Sequence, residues 1–324
     1  ERTTSGVIQL PDFQRGYKWD EERVRQILVT VLRGHPMGVV MLLETGNDQV
    51  RFKPRPVEGT EVTDREPGYL LLDGQQRLTS LTQALTGDGI VHTKDARGKL
   101  LDRKFFINIA DAIADPDRVE EAVVSVPADG KIKTNFDRDV VLDLSTTEAQ
   151  YENGYFPLNL LYKTEGTRWL MKHPNNDLAL EFLDTYVQRA SQYQMPAIEL
   201  DKETDKAAVA TVFEKVNIGG LPLNVFELLT AVFAGDGSYY AQTGQDFRLN
   251  DDWLETKKLW QPYPVLDAVE NTDFLQAVTM LASLKKQRSA PSDGRKVAVT
   301  AKREDVLRLT LDDYLEWRDP LRDA

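Results

Sequence analysis

The chain has 324 residues, 41% hydrophobic and 28% charged, with 40 basic and 52 acidic side chains for a net charge of −12. The absence of cysteine excludes disulfides, thiol catalysis and Cys-ligated zinc, and the scattered His35, His92 and His173 offer no pair at metal-ligand spacing for a histidine metallohydrolase or an HNH nuclease. The acidic balance argues against nonspecific coating of DNA but leaves room for one basic face. The apolar runs are too short for a membrane span and the first residues lack a signal-peptide pattern, so a cytoplasmic protein with no membrane partner is expected.

In chain order, Val7 to Leu10 reads as a short strand stopped by Pro11. Asp20 is placed as a helix N-cap, and Val24, Ile27, Leu28, Val31 and Leu32 form one apolar helical face ended by Gly34 and Pro36. Val39 to Glu44 and Tyr69 to Leu72 are buried strands, the second followed by a helix from about Gly74 to Leu85. Residues 87–150 carry a weaker pattern around one clear strand, Lys104 to Ile109. From about residue 166 the pattern is mainly helical: Leu178, Phe182, Leu183 and Tyr186 make a stripe, Met195 to Leu200 a strand, and a helix covers roughly 205–217. Asn224 with Glu227 is a capping-box signature for a helix over about 225–235. Phe274 to Leu284 and Glu304 to Trp317 read as further helices, with Lys285 to Lys296 as an exposed, mobile loop. The fold class is α+β with a mainly helical C-terminal part, in segments 1–165, 166–240 and 241–324.

Three segments can carry chemistry. In Tyr69-Leu70-Leu71-Leu72-Asp73-Gly74-Gln75-Gln76-Arg77-Leu78 a buried strand runs straight into a helix, whose N-terminal N–H groups and dipole suit a phosphate. Gly74 lets backbone approach a ligand, and Arg77 offers forked donors to phosphate. Gln75 or Gln76 can position an attacking water, and Asp73 can hold Mg²⁺ or orient that water. The competing reading makes Asp73 and Gln76 a capping box. In Phe13-Gln14-Arg15-Gly16-Tyr17-Lys18-Trp19 aromatic and basic residues alternate, which suits base stacking beside phosphate contacts; equally, the aromatics staple the next helix to the core. In Phe213 to Asn224, Asn217 and Gly219-Gly220 either turn one helix into the next or bring Asn217 to the same pocket. Asp251-Asp252 with Glu255-Thr256-Lys257 only faintly matches the acidic-plus-lysine pattern of metal nucleases and is read as a chance feature of a helix. There is no Walker loop and no G-x-G-x-x-G.

Taken together and in this order, these three segments resemble the DUF262 family, the N-terminal domain of GmrSD-type modification-dependent restriction enzymes, found also in the SspE effector of phosphorothioation-based phage defence. The resemblance covers about residues 5–235. It implies a ParB/sulfiredoxin-like core that binds and hydrolyses NTP with Mg²⁺, GTP being favoured, and that senses phosphorothioated or modified-base double-stranded DNA. Carried over by position, Asp73, Gly74, Gln75, Gln76 and Arg77 form the NTPase motif. Gln14 and Arg15 line the nucleotide site or sense DNA beside it, with Tyr17, Lys18 and Trp19 as further DNA-sensing candidates. The helical remainder resembles the connector to a C-terminal DUF1524 nuclease with an HNH motif. That nuclease has no match here, and the end of the chain directly after a helical pattern leads to the expectation of a longer protein. A homodimer is admitted. A non-hydrolysing nucleotide- or DNA-binding module and an antitoxin-like scaffold stay open beside the NTPase.

Overall fold

Alternation along one strand organises the first half of the protein. The computed structural model describes all residues except 13, 15, 47–51, 63–64, 96, 136–137, 205–207, 210–211, 213–224, 290–297 and 324. Strand β4 (Tyr69–Asp73) sends Leu70 and Leu72 to one face and Leu71 to the other, as the two-residue period of a strand requires. It lies at the centre of a five-stranded mixed sheet, in the order β11 (Ala197–Leu200), β2 (Val40–Glu44), β4, β1 (Ile8–Pro11), β3 (Pro54–Arg55). Strands β1 and β4 are parallel and β2 and β4 antiparallel, with a bulge where Met41 pairs with Asp73 and Leu42 with Leu71. Leu10, Val40, Leu42 and Leu71 pack on one face together with Leu78, and Leu43, Leu70 and Leu72 pack on the other against Leu228 and Ala231.

Helix α1 (Glu21–Leu32) forms as its sequence dictates. Asp20 is extended and its carboxylate accepts from the Arg23 N–H at 2.9 Å, and all five residues of the expected apolar face are buried. Each such side chain contributes roughly 1.5–3 kcal/mol of gross burial energy. Gly34 ends the helix at φ +67, with Arg189 against the position a Cβ would take. Helix α2 (Gln75–Leu85) packs beside α1 and covers the Leu71 face of the sheet.

A second sheet is built on β6 (Leu100–Asn108), which pairs with β5 (Val91–Lys94), β7 (Val123–Pro127) and β10 (Tyr155–Pro157). The expected strand Lys104 to Ile109 is the second half of β6, except that Ile109 already opens helix α3 (Ile109–Ala114). Beyond α4 (Val119–Ala122), β8 (Lys131–Thr134) and β9 (Asp139–Asp143) form a hairpin, followed by α5 (Thr147–Asn153). Helices α6 (Thr164–Met171), α7 (Asn176–Phe182) and α8 (Gln188–Ser191), with the π-helical turn Leu183–Val187 that joins the last two, place Trp169, Phe182, Tyr186 and Ala190 in the same core as α1 and β6. The core therefore runs without a break across residue 165.

The C-terminal part is helical: α9 (Val225–Ala234), α10 (Gly237–Thr243), α11 (Leu249–Trp260), α12 (Asn271–Ser289), α13 (Arg303–Leu307) and α14 (Leu311–Asp323). Helix α9 has two working faces: Phe226, Leu229 and Phe233 enter the helical core, while Leu228 and Ala231 cover the sheet. Two expectations are corrected here. Glu304 to Trp317 is two helices, because the Thr310 hydroxyl accepts from the Asp313 N–H at 3.1 Å and starts α14 afresh. Lys285, Lys286 and Arg288 belong to helix α12, where Lys285 pairs with Glu316 and Lys286 with Asp313, and the rest of the expected loop, from residue 290, lies outside the described residues. Most of the helix expected over 205–217, and Asn224 of the expected capping box, lie outside the described residues.

Candidate functional site at the end of strand β4

The expected strand-to-helix junction is present, but its start is not the capping box that the sequence admits. Asp73 is the last residue of β4, and Gly74 is the N-cap, in the left-handed region at φ +90 with no side-chain cap on α2. A Cβ on Gly74 would lie 2.7 Å from Val40 Cγ1. The glycine is thus needed both for its backbone conformation and for packing against β2.

Gln76 does not reach back to cap its own helix. Its Oε1 accepts from the backbone N–H groups of Lys18, at 2.7 Å, and Trp19, at 3.2 Å. It is a clamp on the segment that leads into α1. Gln14 does a similar job on the sheet. The β1–β4 ladder pairs Gln9 with Leu70, and Pro11 has no N–H to continue it. The Gln14 Nε2 group supplies the donors instead, to Leu71 O at 2.7 Å and Leu72 O at 3.0 Å.

Arg77 turns towards β2. Nη1 donates to Met37 O at 2.8 Å, and Nη2 donates to Val39 O at 3.0 Å and to Asp73 Oδ2 at 3.1 Å. Ser80 donates to Gln76 O at 2.7 Å, which leaves its oxygen to accept the Tyr17 hydroxyl at 2.8 Å. Burial pushes the Tyr17 hydroxyl up to about 12, with the bond to Ser80 opposing it.

The structure therefore brings Gln14, Tyr17, Asp73, Gly74, Gln76 and Arg77 to one place, the end of β4 and the start of α2. Tyr17 and Trp19 pack against the main core, in line with the stapling role, while Lys18 is exposed. Gln75 is half-buried in the first turn of α2. Arg15 and Asn217 lie outside the described residues.

Sequence reasoning missed the Met37–Val39 segment, although Gly38 just ahead of a strand was its available signal. It also missed Ser80, which looks in sequence like one more polar position on a helix. Two cavities, of about 710 and 380 Å³, lie on the α9 side of the sheet and share Lys53, Ala234 and Asp246; neither is lined by Asp73 or by residues 74–77.

Among the described residues no three histidines, aspartates or glutamates are grouped to hold a metal by themselves. Mg²⁺ in nucleotide sites needs only one or two carboxylates with the substrate phosphates. Asp73 fits that pattern: Oδ2 takes the bond from Arg77, and its side chain is 30% exposed.

What the site can do chemically is bind an anion. An α-helix longer than two turns begins without a side-chain cap, straight after a strand, beside a carboxylate held in place by an arginine. That arrangement defines a class, a strand–turn–helix junction on a mixed α/β scaffold. Residues 1–234 match the family model of the GmrSD restriction endonuclease N-terminal domain, and the chain belongs to that family. It is also similar to Uncharacterized protein MJ0686 of Methanocaldococcus jannaschii, with 26% identity over 241 residues, 72% of this chain and 40% of that relative. The match thus spans well under half of the relative's length. Among the described residues no helix is long and apolar enough to cross a membrane.

Proposed function

We propose that the chain is the NTP-hydrolysing sensor domain of a modification-dependent restriction protein of phage defence. The observation that carries this reading is the start of α2, where the N-cap Gly74 gives no side-chain cap and Asp73 stands beside it. The phosphates of NTP, GTP being favoured by family resemblance, sit on the first-turn N–H groups of α2. Asp73 holds Mg²⁺, which supplies charge neutralisation on the phosphates. Gln75 orients the attacking water; the bond from the γ-phosphorus to the bridging oxygen breaks, giving nucleoside diphosphate and phosphate. Arg15 and Asn217 stay in this proposal as nucleotide-site residues on family grounds. Lys18, exposed at the rim, is the DNA-facing candidate, with Arg15 beside it in sequence; Tyr17 and Trp19 support that segment from within.

Within the same proposal the core is ParB/sulfiredoxin-like and the protein is cytoplasmic. Modified double-stranded DNA, phosphorothioated or base-modified, is the signal, and a DUF1524/HNH nuclease is the output. Self-association as a homodimer is compatible with this scheme. A second reading, a regulatory module that binds nucleotide or DNA without turnover, is favoured by one observation: the Gln76 and Arg77 side chains are already bonded to protein groups. Phosphate release from each NTP with Mg²⁺, with and without modified duplex, separates the two. The NTPase reading expects release that Asp73→Asn abolishes. Tight nucleotide binding without any release selects the second reading.

A further inference from the structure

We propose that Arg77 is a positioning residue: it latches the Met37–Val39 segment onto the start of α2 and so sets the Asp73–Gly74 turn, without contacting the phosphates. This rests on the proposed nucleotide site and says how that site is held.

The geometry of the guanidinium carries the inference. Three of its N–H groups are directed to protein acceptors, Met37 O, Val39 O and Asp73 Oδ2. The two carbonyls flank Gly38, whose φ is +93 and whose missing Cβ would lie 2.4 Å from Arg77 Nη1. The chain thus passes this point in a conformation that glycine adopts freely, with the arginine head filling the space a side chain would need. A planar fork with fixed donor directions meets three acceptors at once here, which a lysine ammonium on a flexible stem does not reproduce.

The latch is anchored on its far side as well. The Met37 N–H donates to the Tyr193 hydroxyl at 3.1 Å, and that hydroxyl donates to His35 O at 2.8 Å. One residue past Val39, the Val40 N–H donates to Pro196 O at 3.0 Å, where β2 meets the run into β11. The segment from His35 to Val40 is therefore fixed from three directions, and Arg77 provides the only one of these contacts that comes from α2 among the described residues. The latch also sits beside the bulge between the Met41–Asp73 and Leu42–Leu71 pairs. Bulges re-aim the strand that carries them, and here the carboxylate that is aimed is Asp73. Losing Arg77 leaves Asp73 Oδ2 without its bond and removes the hydrogen bonds that tie the Met37–Val39 segment to α2.

A residue that binds phosphate and one that positions the turn give different results when the arginine is kept and its seat is spoiled. Gly38→Ala does this, because the new methyl group collides with the guanidinium. Turnover and nucleotide affinity are measured for wild type, Gly38→Ala, Arg77→Ala and Arg77→Lys, with thermal melts to confirm folding. The expected result is a loss of kcat on the order of a hundredfold in all three variants, the scale of an ångström of misplacement, with nucleotide Kd within about threefold of wild type. A Gly38→Ala variant with wild-type turnover, or a Lys variant that restores it while Arg77→Ala loses nucleotide binding, overturns the positioning role in favour of a direct phosphate contact.

Hydrogen exchange read at the amides of Val40 to Leu43, without nucleotide, tests the latch independently. Faster exchange in Arg77→Ala than in wild type is expected, and unchanged exchange refutes the latch whatever the turnover. A wild-type protein that hydrolyses no NTP but shows this change in exchange retains the latch and removes the hydrolytic reading.

Discussion

Replacing Asp252 with alanine should destabilise the helical part more than any other single acidic substitution in it. Asp252 lies on α11 and is only 7% exposed. Its carboxylate receives the Tyr314 hydroxyl at 2.7 Å, Arg322 Nη2 at 2.7 Å, and Arg318 Nη1, all from α14. The Arg322 side chain is itself 8% exposed. Alanine would remove the buried carboxylate and leave that guanidinium the exposed Asp319 carboxylate at 3.3 Å, the Thr256 hydroxyl and the residue-252 carbonyl; removing one partner of a buried pair costs up to roughly 3–5 kcal/mol. At ~2–4 °C per kcal/mol for a unit of this size, the melting midpoint should fall by up to about 6–20 °C. Asp252→Asn, which keeps the shape and one acceptor oxygen, should lose less. Asp251→Ala, at the exposed neighbour, should stay within about 0.5 kcal/mol of wild type. Urea and thermal unfolding followed by circular dichroism read all three. An Asp252→Ala variant within about 1 kcal/mol of wild type would refute the buried-cluster account.

Gln76→Ala should speed hydrogen exchange at the Lys18 and Trp19 amides, whose acceptor it removes, and cost about 1–3 kcal/mol; Gln76→Glu, which keeps an acceptor oxygen, should leave those amides protected. Tyr17 gives a pH dependence. Its hydroxyl is raised from 10.0 to about 12 in the folded protein, mainly by burial, so the unfolded chain releases this proton first. The stability that wild type holds over Tyr17→Phe should therefore be constant below pH 10 and decline as pH rises from 10 towards 12. Denaturant titrations of both proteins at several pH values check the sign, and a difference that grows with pH contradicts it.

The parts of the fold that were legible in the sequence are those where local chemistry and tertiary packing agree. Asp20, the apolar face of α1 and the break at Gly34 all act within one helix, so periodicity and capping sufficed. The strand–glycine–helix junction at Asp73-Gly74-Gln75 was legible for the same reason. Its internal wiring was not, because each partner is remote in sequence: Gln76 bonds to Lys18 and Trp19, Gln14 to Leu71 and Leu72, and Arg77 to Met37 and Val39. A glutamine three residues past an aspartate satisfies the local capping rule, and a distant backbone segment outcompetes it.

The basic stretch from Lys285 to Arg288 shows the same effect. Read alone it looks like a solvated loop, yet Glu316 and Asp313 on α14 draw its lysines into a helix pair. Asp252 reads in sequence as part of a chance acidic pattern, because its two arginines, Arg318 and Arg322, lie 66 and 70 residues further on. The β8–β9 hairpin is one of several elements within residues 87–150 that the weak local pattern hides. None of its nine strand residues is fully buried and Val140 and Val141 are exposed, so its apolar residues follow no clean alternation. The Asp129-Gly130 turn, with Gly130 at φ +78, marks the passage from β7 into β8.

The placement of nucleotide on the start of α2 is the claim on which the functional account stands. A crystal structure with Mg²⁺ and a non-hydrolysable GTP analogue tests it most directly. The account predicts phosphate oxygens about 2.7–3.2 Å from backbone nitrogens of Gln75 to Arg77, with Mg²⁺ on the Asp73 carboxylate and Arg77 still bonded to Met37 and Val39. Nucleotide in the cavity beside Lys53 and Asp246, with the start of α2 unchanged, would contradict it.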